Sequence, residues 1–285
     1  MTGAPPRVVA LLPAWQAEAF IADTLQSLAA QTWPNLEILI SVDVSKDATV
    51  EICRAFAADR PNVRVVAQTE RQGWIGNTNA LLAMAEGDFL FFALHDDLLA
   101  PTFVETLARA LEAEPAAAIA YCDFETVHQD GATEMGVYDV LAGVASPVER
   151  ARRVLRQQGT WWAPFRGMFR AEAARRIGGL KRHAAGEFCA DWPWLVHMAT
   201  LGLSIRAPGV HCRKFYKPGS LSKTWRFSLR QWLGVAGGAL REVYASDLPL
   251  AGKLRLTLTL AGMCWTWFVR ALATSPRLRR FRPAG

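Results

Sequence analysis

The feature that most limits the possible folds is the apolar segment 89–94 (FLFFAL), which is followed by His95 and two adjacent acids, Asp96 and Asp97. An unbroken apolar run of this length is typical of a strand covered on both faces, as in a parallel sheet flanked by helices. Ligands of such sheets bind beyond the carboxyl ends of the strands. Two acids beside an imidazole at this place are suited to a hard divalent cation that neutralises phosphate oxygens. The alternative is that one acid only caps the helix that begins near Pro101.

Strand-like and helix-like segments alternate through the first 123 residues. Short links join helical patterns to apolar strands, which favours a doubly wound, mostly parallel α/β sheet with helices on both faces. The alternation stops after residue 123, so the second half is predicted to be a substrate-specific half built onto a nucleotide-binding half. The predicted strands cover 8–12, 36–42, 63–67, 89–94 and 116–122, and predicted helices include 17–31, 101–114 and 148–157.

Composition bounds the class of protein and its compartment. The chain has 285 residues, of which 51% are hydrophobic and 20% charged, as in an ordinary globular protein. Its five cysteines are widely spaced and lack metal-ligand spacing, so we expect buried thiols in a reducing compartment. The first residues lack the charged, apolar and small-residue order of a signal peptide, and we therefore expect a cytoplasmic protein.

The C-terminal segment is basic and partly apolar. The net charge of the chain is +6, and four arginines lie within the last nine residues. Such tails bind anions, either nucleic acid or acidic lipid. The run 256–269 has 14 residues, fewer than the roughly 20 that span a bilayer. It is predicted either to lie in a membrane interface or to form a helix buried on the domain. The four arginines are Arg277, Arg279, Arg280 and Arg282.

Several segments, in order, resemble the sequence motifs of family 2 glycosyltransferases, which have the GT-A fold. Residues 13–21 resemble their opening P-x-[YW]-[NQ]-x-x-x-x-[IL], and residues 37–49 (EILISVDVSKDAT) resemble E-I-I-V-V-D-D-G-S-x-D-x-T. Residues 95–97 with Pro101 resemble the D-x-D-D…P site. The others are the loop 73–79, the segments 166–170 and 178–180, which resemble G-x-x-[FM]-R…G-G, and 190–192, where the family places an acid before a helix. The resemblance covers about residues 7–225.

This resemblance implies a GT-A domain over residues 1–225, divided into a nucleotide-binding half (1–123) and an acceptor half (124–225), with a helical, basic extension over 226–285. It implies inverting transfer of a sugar from a nucleotide-diphosphate sugar to a hydroxyl of a glycan or a lipid-linked saccharide. Mg²⁺ or Mn²⁺ is implied as the cofactor. With the basic C-terminal segment, it also raises peripheral attachment at the inner face of the membrane as an alternative to a freely cytoplasmic protein. No nucleic-acid partner is expected.

The roles of individual residues follow from the same resemblance. Asp43 would contact the nucleobase, with Arg71 nearby. Asp96 would hold the ribose or the metal, and Asp97 the metal that bridges the diphosphate. Asp191 would be the general base that deprotonates the acceptor, and an N-cap role at the start of a helix is its compatible alternative. The further donor-site positions are Pro13, Trp15 and Asn79.

Two departures from the family pattern leave alternatives open. Val42 stands where the family usually has the first acid of its D-D pair, and Leu94 stands where the first acid of D-x-D-D is common. The order of the metal and ribose roles of Asp96 and Asp97 is therefore open. The departures also keep open a catalytically silent nucleotide-sugar-binding or scaffold protein, and a nucleotidyltransferase on a related sheet is a further alternative.

Basic and aromatic residues in the second half are additional candidates. Lys214 and Lys217 lie in a stretch that resembles the flexible loop closing over the diphosphate in this family, with a solvated surface loop as the alternative. Trp161 or Trp192 is a candidate to stack on a sugar, whereas core packing is the default for any tryptophan. His197 is predicted to be structural.

Overall fold

The computed structural model describes residues 3–156, 162–216 and 227–274, and these ranges form one mixed sheet with helices packed on it. The strands are β1 (Val8–Ala14), β2 (Leu36–Val42), β3 (Val63–Ala67), β4 (Phe89–Phe92), β5 (Asp97–Leu99), β6 (Ala117–Val127), β7 (Thr133–Gly136), β8 (Met168–Arg170) and β9 (Leu203–Phe215). The helices are α1 (Ile21–Ala29), α2 (Thr49–Ala57), α3 (Gly73–Met84), α4 (Phe103–Ala113), α5 (Pro147–Arg156), α6 (Trp162–Phe165), α7 (Ala171–Ile177), α8 (Asp191–Leu201), α9 (Leu229–Ala245) and α10 (Leu250–Thr274).

The sheet has the strand order β3-β2-β1-β4-β8-β6-β9-β5, and β7 pairs with β6. The strands β3, β2, β1 and β4 are parallel, as predicted for the first half of the chain. Strand β8 is antiparallel to both β4 and β6, and β5 is antiparallel to β9. The second half of the chain therefore continues the same sheet, and both halves share one core.

The core fills both faces of the parallel part of the sheet. All five residues from 8 to 12 in β1 are 0% exposed, because β1 lies between β2 and β4 and helices cover it. Helix α4 buries Phe103, Leu107 and Leu111, whose spacing of four residues places them on one face. The unbroken apolar run at 89–94 is explained by this covering on both sides.

The predicted strand 89–94 is shorter in the structure and is followed by a second strand. Strand β4 ends at Phe92, and after a turn residues 97–99 form β5, which pairs with β9 in the register Asp97↔Lys214. Local sequence does not reveal this pairing because the partner strand lies far along the chain. The helix predicted at 101–114 begins at Phe103.

The C-terminal helices pack on the same core. Helix α9 approaches the loop before α8 closely, since Gly234 has no side chain and a Cβ there would lie 2.7 Å from the backbone nitrogen of Ala185. In α10, Leu256 and Trp267 are only 0% and 7% exposed. The segment predicted as an extension is thus packed on the domain over residues 227–274. Within the described ranges, every helix is too short or too polar to cross a membrane.

A buried ionic cluster joins α9 to α8. The Glu242 carboxylate, which is 3% exposed, lies 2.8 Å from Nδ1 of His197 and 2.8 Å from Nζ of Lys181. Burial alone would raise the pKa of Glu242, but its bonds with His197 and Lys181 lower it below the usual value. His197 therefore has the structural role expected from the sequence, and the cluster fixes α9 against the helix that begins at Asp191.

Removing the charge of Glu242 is expected to loosen this packing. We expect Glu242→Gln to lower the free energy of unfolding by roughly 2 to 3 kcal/mol, since a buried charged partner is lost while Lys181 still reaches water. Asp247→Asn is the matched control, because Asp247 pairs with Arg176 at an exposed site and a surface pair contributes about 1 kcal/mol or less. Urea unfolding of the three proteins measures the difference, and equal losses in the two variants would contradict a structural role of Glu242.

Candidate active site

The parallel strands bring several predicted residues to one edge of the sheet. The pairs Leu11↔Phe92 and Ala14↔Val42 align the carboxyl ends of β1, β2 and β4. Trp15, Asp43 and the 93–97 segment therefore emerge at the same rim, as the positions of the acids after the strands predicted. The rim is held together by a bond from the backbone nitrogen of Asp43 to the carbonyl oxygen of Ala14, at 2.9 Å.

The turn that carries the adjacent acids is fixed by its own hydrogen bonds. Nδ1 of His95 lies 3.0 Å from the carbonyl oxygen of Pro13, and its ring stacks on Phe20. The Thr24 hydroxyl donates to the carbonyl oxygens of both His95 and Asp97. Pro13 thus contributes to the rim through its backbone, and the imidazole positions the turn.

Asp43 is buried at the rim, and four hydrogen bonds surround its carboxylate. Oδ1 accepts from the backbone nitrogens of Val44 (2.9 Å) and Gln72 (2.8 Å), and Oδ2 accepts from that of Gly73 (2.9 Å). Oδ2 also pairs with Nε of Arg71 at 2.9 Å. A carboxylate offers about four acceptor positions, and these bonds use them. In this arrangement Asp43 positions Arg71 and the start of α3, and its direct contact with a nucleobase stays a prediction.

What Asp43 positions is an exposed pair of flat groups. The guanidinium of Arg71 lies 3.8 Å from the centre of the Trp15 ring. The Arg71 side chain is 51% exposed and Trp15 is 37% exposed, while the Trp15 ring nitrogen donates to the carbonyl oxygen of Val44. The pair offers a stacking surface with a positive charge at the mouth of the rim, as expected for a site that binds an aromatic, anionic molecule.

Asp97 lies inside the domain and is paired there. Its Oδ2 is 2.6 Å from Nε of Arg166, and the two side chains are only 4% and 14% exposed. Arg166 also lies over the Trp162 ring. Burial raises the pKa of Asp97, and the Arg166 guanidinium limits that rise. Arg166 offsets the charge of Asp97 through Oδ2, while its other oxygen, Oδ1, has no hydrogen bond within the described ranges. The metal contact expected of Asp97 stays a prediction.

Asp96 fits a divalent cation better than Asp97. It lies half-buried in the turn between β4 and β5, and no hydrogen bond or ion pair engages its carboxylate within the described part of the chain. That part contains no group of three or more His, Cys, Asp and Glu side chains able to hold a metal by themselves. Mg²⁺ is commonly held by one or two carboxylates together with substrate phosphates, so Asp96 fits a cation that a diphosphate also ligates.

Lys214 links the two sides of the site. Its Nζ lies 3.8 Å from the centre of the Trp162 ring and donates to the Tyr216 hydroxyl at 3.1 Å. Burial and the nearby Arg166 lower the pKa of Lys214 to about 7, while the carboxylates of Asp97, Asp96 and Asp191 oppose this shift. Lys214 is the register partner of Asp97 between β5 and β9, and its amine also feels the charges of Asp96 and of Asp191, which lies far from both acids along the chain. Lys217, Ser220 and Ser222, from the same predicted loop, lie outside the described residues.

Asp191 is the first residue of α8, and the residue before it, Ala190, occupies the N-cap position without a side-chain cap. Asp191 therefore lies in the first turn, and the N-cap position that was its alternative expectation belongs to Ala190. The positive end of the helix dipole favours a carboxylate there. Trp192 is 1% exposed and its ring nitrogen donates to the carbonyl oxygen of Val154, so it belongs to the core. Trp161 lies outside the described residues.

The side chain of Asn79 is held by two hydrogen bonds with the backbone of Leu180. Its Nδ2 donates to the carbonyl oxygen of Leu180 at 2.8 Å, and its Oδ1 accepts from the backbone nitrogen of Leu180 at 2.9 Å. A Cβ on Gly179, which has φ of 87°, would lie 2.6 Å from Oδ1 of Asn79. These bonds join α3 to the 178–180 turn, and the expected contact of Asn79 with the donor stays a prediction.

Two charged residues of this region were not singled out by the sequence. Arg166 begins the segment 166–170, which resembles a family motif, and this resemblance was the only indication of a role. Its pairing with Asp97 depends on the fold. Glu187 accepts from the backbone nitrogen of Trp74 and pairs with Arg182 at 2.9 Å, with nothing in its neighbours to indicate this. The contacts of Arg166 with Asp97 and of Glu187 with Trp74 join segments that are far apart along the chain.

Comparison with known proteins agrees with this architecture. The structure of S. aureus TarS 1-349 in complex with UDP-GlcNAc superposes with a TM-score of 0.68 at 18% identity, covering 94% of this chain and 73% of the 1-349 chain. The mannosyltransferase PcManGT of Pyrobaculum calidifontis, in complex with GDP-Man and Mn²⁺, gives a TM-score of 0.57 at 19% identity, covering 95% of this chain and 76% of that one. The fold is that of the GT-A glycosyltransferases.

Sequence comparison then gives the family. Residues 10–170, more than half of the chain, match the model of glycosyl transferase family 2, and the chain belongs to this family. The uncharacterized glycosyltransferase YibD of Escherichia coli (strain K12) is 32% identical over 107 residues, which is 38% of this chain and 31% of YibD. The matched stretch spans between 13% and 52% of the length of other curated relatives.

The burial of Lys214 has a consequence for stability. Its pKa of about 7 lies below the usual 10.5, so between these values the unfolded chain binds a proton that the folded protein releases. The contribution of Lys214 to stability therefore rises with pH over this window. We expect the difference in unfolding free energy between Lys214→Met and the natural protein to favour the variant at pH 6 to 7 and to shrink toward pH 10.

The measurement is urea unfolding at several pH values, without nucleotide or metal. Lys46→Met, at an exposed position, corrects for the general effect of removing a lysine. A difference for Lys214→Met that stays constant across the pH range, relative to Lys46→Met, would contradict the burial of a charge at this site.

Proposed function

We propose that this protein is a glycosyltransferase that transfers a sugar, with inversion, from a nucleotide-diphosphate sugar to an acceptor hydroxyl. The observation that carries the proposal is the rim where the parallel strands end, beside which Lys214 pairs in register with Asp97 and its amine interacts electrostatically with Asp96, Asp97 and Asp191. The family assignment supports the same chemistry, and two proteins of this fold bind UDP-GlcNAc or GDP-Man.

The donor is proposed to bind across the rim. Its base would stack near the exposed Trp15–Arg71 pair, where Arg71 offers both a planar surface and a positive charge. Asp43 supports this contact indirectly, since it holds Arg71 and the start of α3. The diphosphate would then lie toward Asp96, with the Lys214 amine within range of its charge. In this proposal Asp43 is buried because it holds Arg71, whereas Arg71 is exposed because it would contact the base.

A divalent cation, Mn²⁺ or Mg²⁺, is proposed to bind with the donor. Asp96 would be its protein ligand, and the cation would neutralise the negative charge that the departing nucleoside diphosphate carries. Asp97 stabilises the turn between β4 and β5 through its buried ion pair with Arg166. The Mn²⁺ in the complex of PcManGT supports this part of the proposal.

Asp191 is proposed as the general base. A carboxylate at this position removes the proton from the acceptor hydroxyl as the hydroxyl oxygen attacks the anomeric carbon, and the bond to the diphosphate breaks on the opposite face. That geometry produces inversion at the anomeric carbon. The amine of Lys214 interacts electrostatically with the carboxylates of Asp191 and Asp96. Its positive charge is proposed to offset their negative charge between catalytic cycles.

The acceptor is proposed to be a glycan or a lipid-linked saccharide, and the site of action the inner face of the membrane. The family assignment supports sugar transfer to an acceptor in general terms. In the acceptor half, the ring of Trp192 is buried and offers no exposed face. A sugar acceptor would therefore be held by other groups than this ring.

Replacement of the proposed base tests the reaction. We expect Asp191→Asn to lower turnover by about 10²- to 10⁴-fold, because a general base contributes this much, while the affinity for UDP or GDP stays within about twofold. Turnover of UDP-GlcNAc and GDP-mannose is measured with a panel of saccharide acceptors as released nucleoside diphosphate, and NMR of the product gives the anomer.

Asp88→Asn is the control, since Asp88 lies at the opposite end of the sheet and accepts a bond from the backbone of Arg7. Full turnover in Asp191→Asn would overturn the assignment of the base. Release of pyrophosphate would point to a nucleotidyltransferase. Tight nucleotide binding without turnover of any donor would favour the silent scaffold.

The metal assignment has a separate test in binding. We expect Mn²⁺ to tighten the binding of UDP or GDP to the natural protein, and Asp96→Asn to lose this gain because the protein ligand of the cation is gone. Calorimetric titrations with and without Mn²⁺ measure both effects. In Asp97→Asn, the expected result is instead a loss of stability of roughly 3 to 5 kcal/mol, since Arg166 is left unpaired. An unchanged Mn²⁺ gain in Asp96→Asn would exclude Asp96 as the ligand.

A further inference from the structure

Helix α10 carries large apolar side chains on two sides. One side packs on α9 and α5 through Leu256, Leu260 and Trp267, and the Trp267 ring stacks on Trp232 of α9 at 5.1 Å. The other side faces solvent. Its exposed fractions run from 42% to 73% for seven apolar residues: Leu250, Leu254, Leu258, Trp265, Phe268, Val269 and Leu272. We call this set the outer face of α10.

The outer face is a continuous stripe. At about 100° per residue, its seven positions fall within an arc of roughly 100° around the helix axis. From the first to the last residue the stripe is about 33 Å long, at 1.5 Å per residue. These residues do not take part in the packing of α10 on the domain, which Leu256, Leu260 and Trp267 on the opposite side provide. An exposed apolar surface of this extent marks an interaction site in a soluble domain.

The charged residues of α10 itself are all positive, and one of them, Arg255, lies 3.9 Å from Glu149 of α5. The sequence of α10 contains Lys253, Arg255 and Arg270 and no Asp or Glu. The Arg255 side chain is 63% exposed. Four more arginines follow in the sequence between 277 and 282, and the whole chain carries a net charge of +6. The occupant of the outer face is therefore expected to combine apolar surface with negative charge.

We propose that the outer face of α10 docks on an anionic lipid surface, with the helix lying in the plane of the membrane interface. An apolar helix face bordered by Lys and Arg, with an exposed tryptophan, is the pattern of interfacial helices. Leu258 and Trp265, at 73% and 66% exposed, would enter the boundary between headgroups and acyl chains. Lys253 and Arg255 would remain at the headgroups, where basic residues are attracted to acidic lipid.

Charge argues against the main alternative, a second copy of this chain. Two-fold docking of one outer face on another would bring the basic residues of both helices together, because the same patch is used by both copies. No acidic residue of α10 could compensate them. An anionic bilayer supplies both the apolar layer and the opposite charge. The proposal does not rest on the transfer reaction, since lipid binding is measured without donor or acceptor.

The test is flotation of the full chain with vesicles of phosphatidylcholine containing about 30% phosphatidylglycerol, compared with phosphatidylcholine alone. We expect binding to the anionic vesicles that weakens with salt, because the electrostatic part is screened. The double variant Leu258→Glu, Trp265→Glu is expected to lose this binding by about tenfold or more, since both side chains are exposed and the new charges oppose insertion. The control is Met135→Glu, at a 58% exposed site on β7.

Urea unfolding of all variants checks that the fold is kept. The proposal is overturned if the double variant binds anionic vesicles as the natural protein does, or if the natural protein binds neither vesicle. A natural protein that is dimeric by light scattering, with a monomeric double variant and no vesicle binding, would assign the outer face to a second copy. Binding that follows the expected pattern with no turnover of any donor would support the lipid surface and reject the proposed function separately.

Discussion

The parallel pairing of β1 with β2 on one side and β4 on the other is the constraint on which the rest of the structure depends. In this register the three strands end at one edge, with Ala14 beside Val42 and Leu11 beside Phe92. Parallel strands are stable only when both faces are covered, and β1 is accordingly fully buried from residue 8 to residue 12. The chain must leave the sheet at this edge, so the polar residues that follow each strand meet there. A ligand site at this rim is a consequence of topology.

The second constraint is the cost of burying charge. Each buried acid near the rim has a cation or several donors beside it: Asp43 has Arg71 and three backbone nitrogens, and Asp97 has Arg166. An unpaired carboxylate in these positions would be strongly unfavourable. Pairing makes both acids part of the framework. Asp96 and Asp191 are half-buried, and both act electrostatically on the Lys214 amine. The adjacent acids Asp96 and Asp97 thus differ in burial and in their partners.

The two C-terminal helices, α9 and α10, contribute to the core and also form the proposed docking surface. Helix α9 completes the core behind α8 through Glu242, His197 and Lys181, and thereby supports the helix on which Asp191 lies. Helix α10 covers α9 with Trp267 and turns a second apolar face outward. A catalytic domain held at a lipid surface by this helix would meet a lipid-linked acceptor in two dimensions. The core and the proposed docking surface are separated by the thickness of one helix.

The sequence alone determined most elements of the first 123 residues, with β5 as the exception, and it determined the α/β class and the family, because strand and helix periodicity and short motifs are local properties. It also placed Asp43 and Asp96 correctly at the ends of strands. Only the tertiary structure decided what their carboxylates contact. Strand β5 forms because 97–99 meets β9, and Asp97 is paired because Arg166, 69 residues away, folds over it. The same holds for Asn79 with Leu180 and for Lys214 among the acids. Burial and partners are set by contacts between distant segments, and no local pattern encodes them.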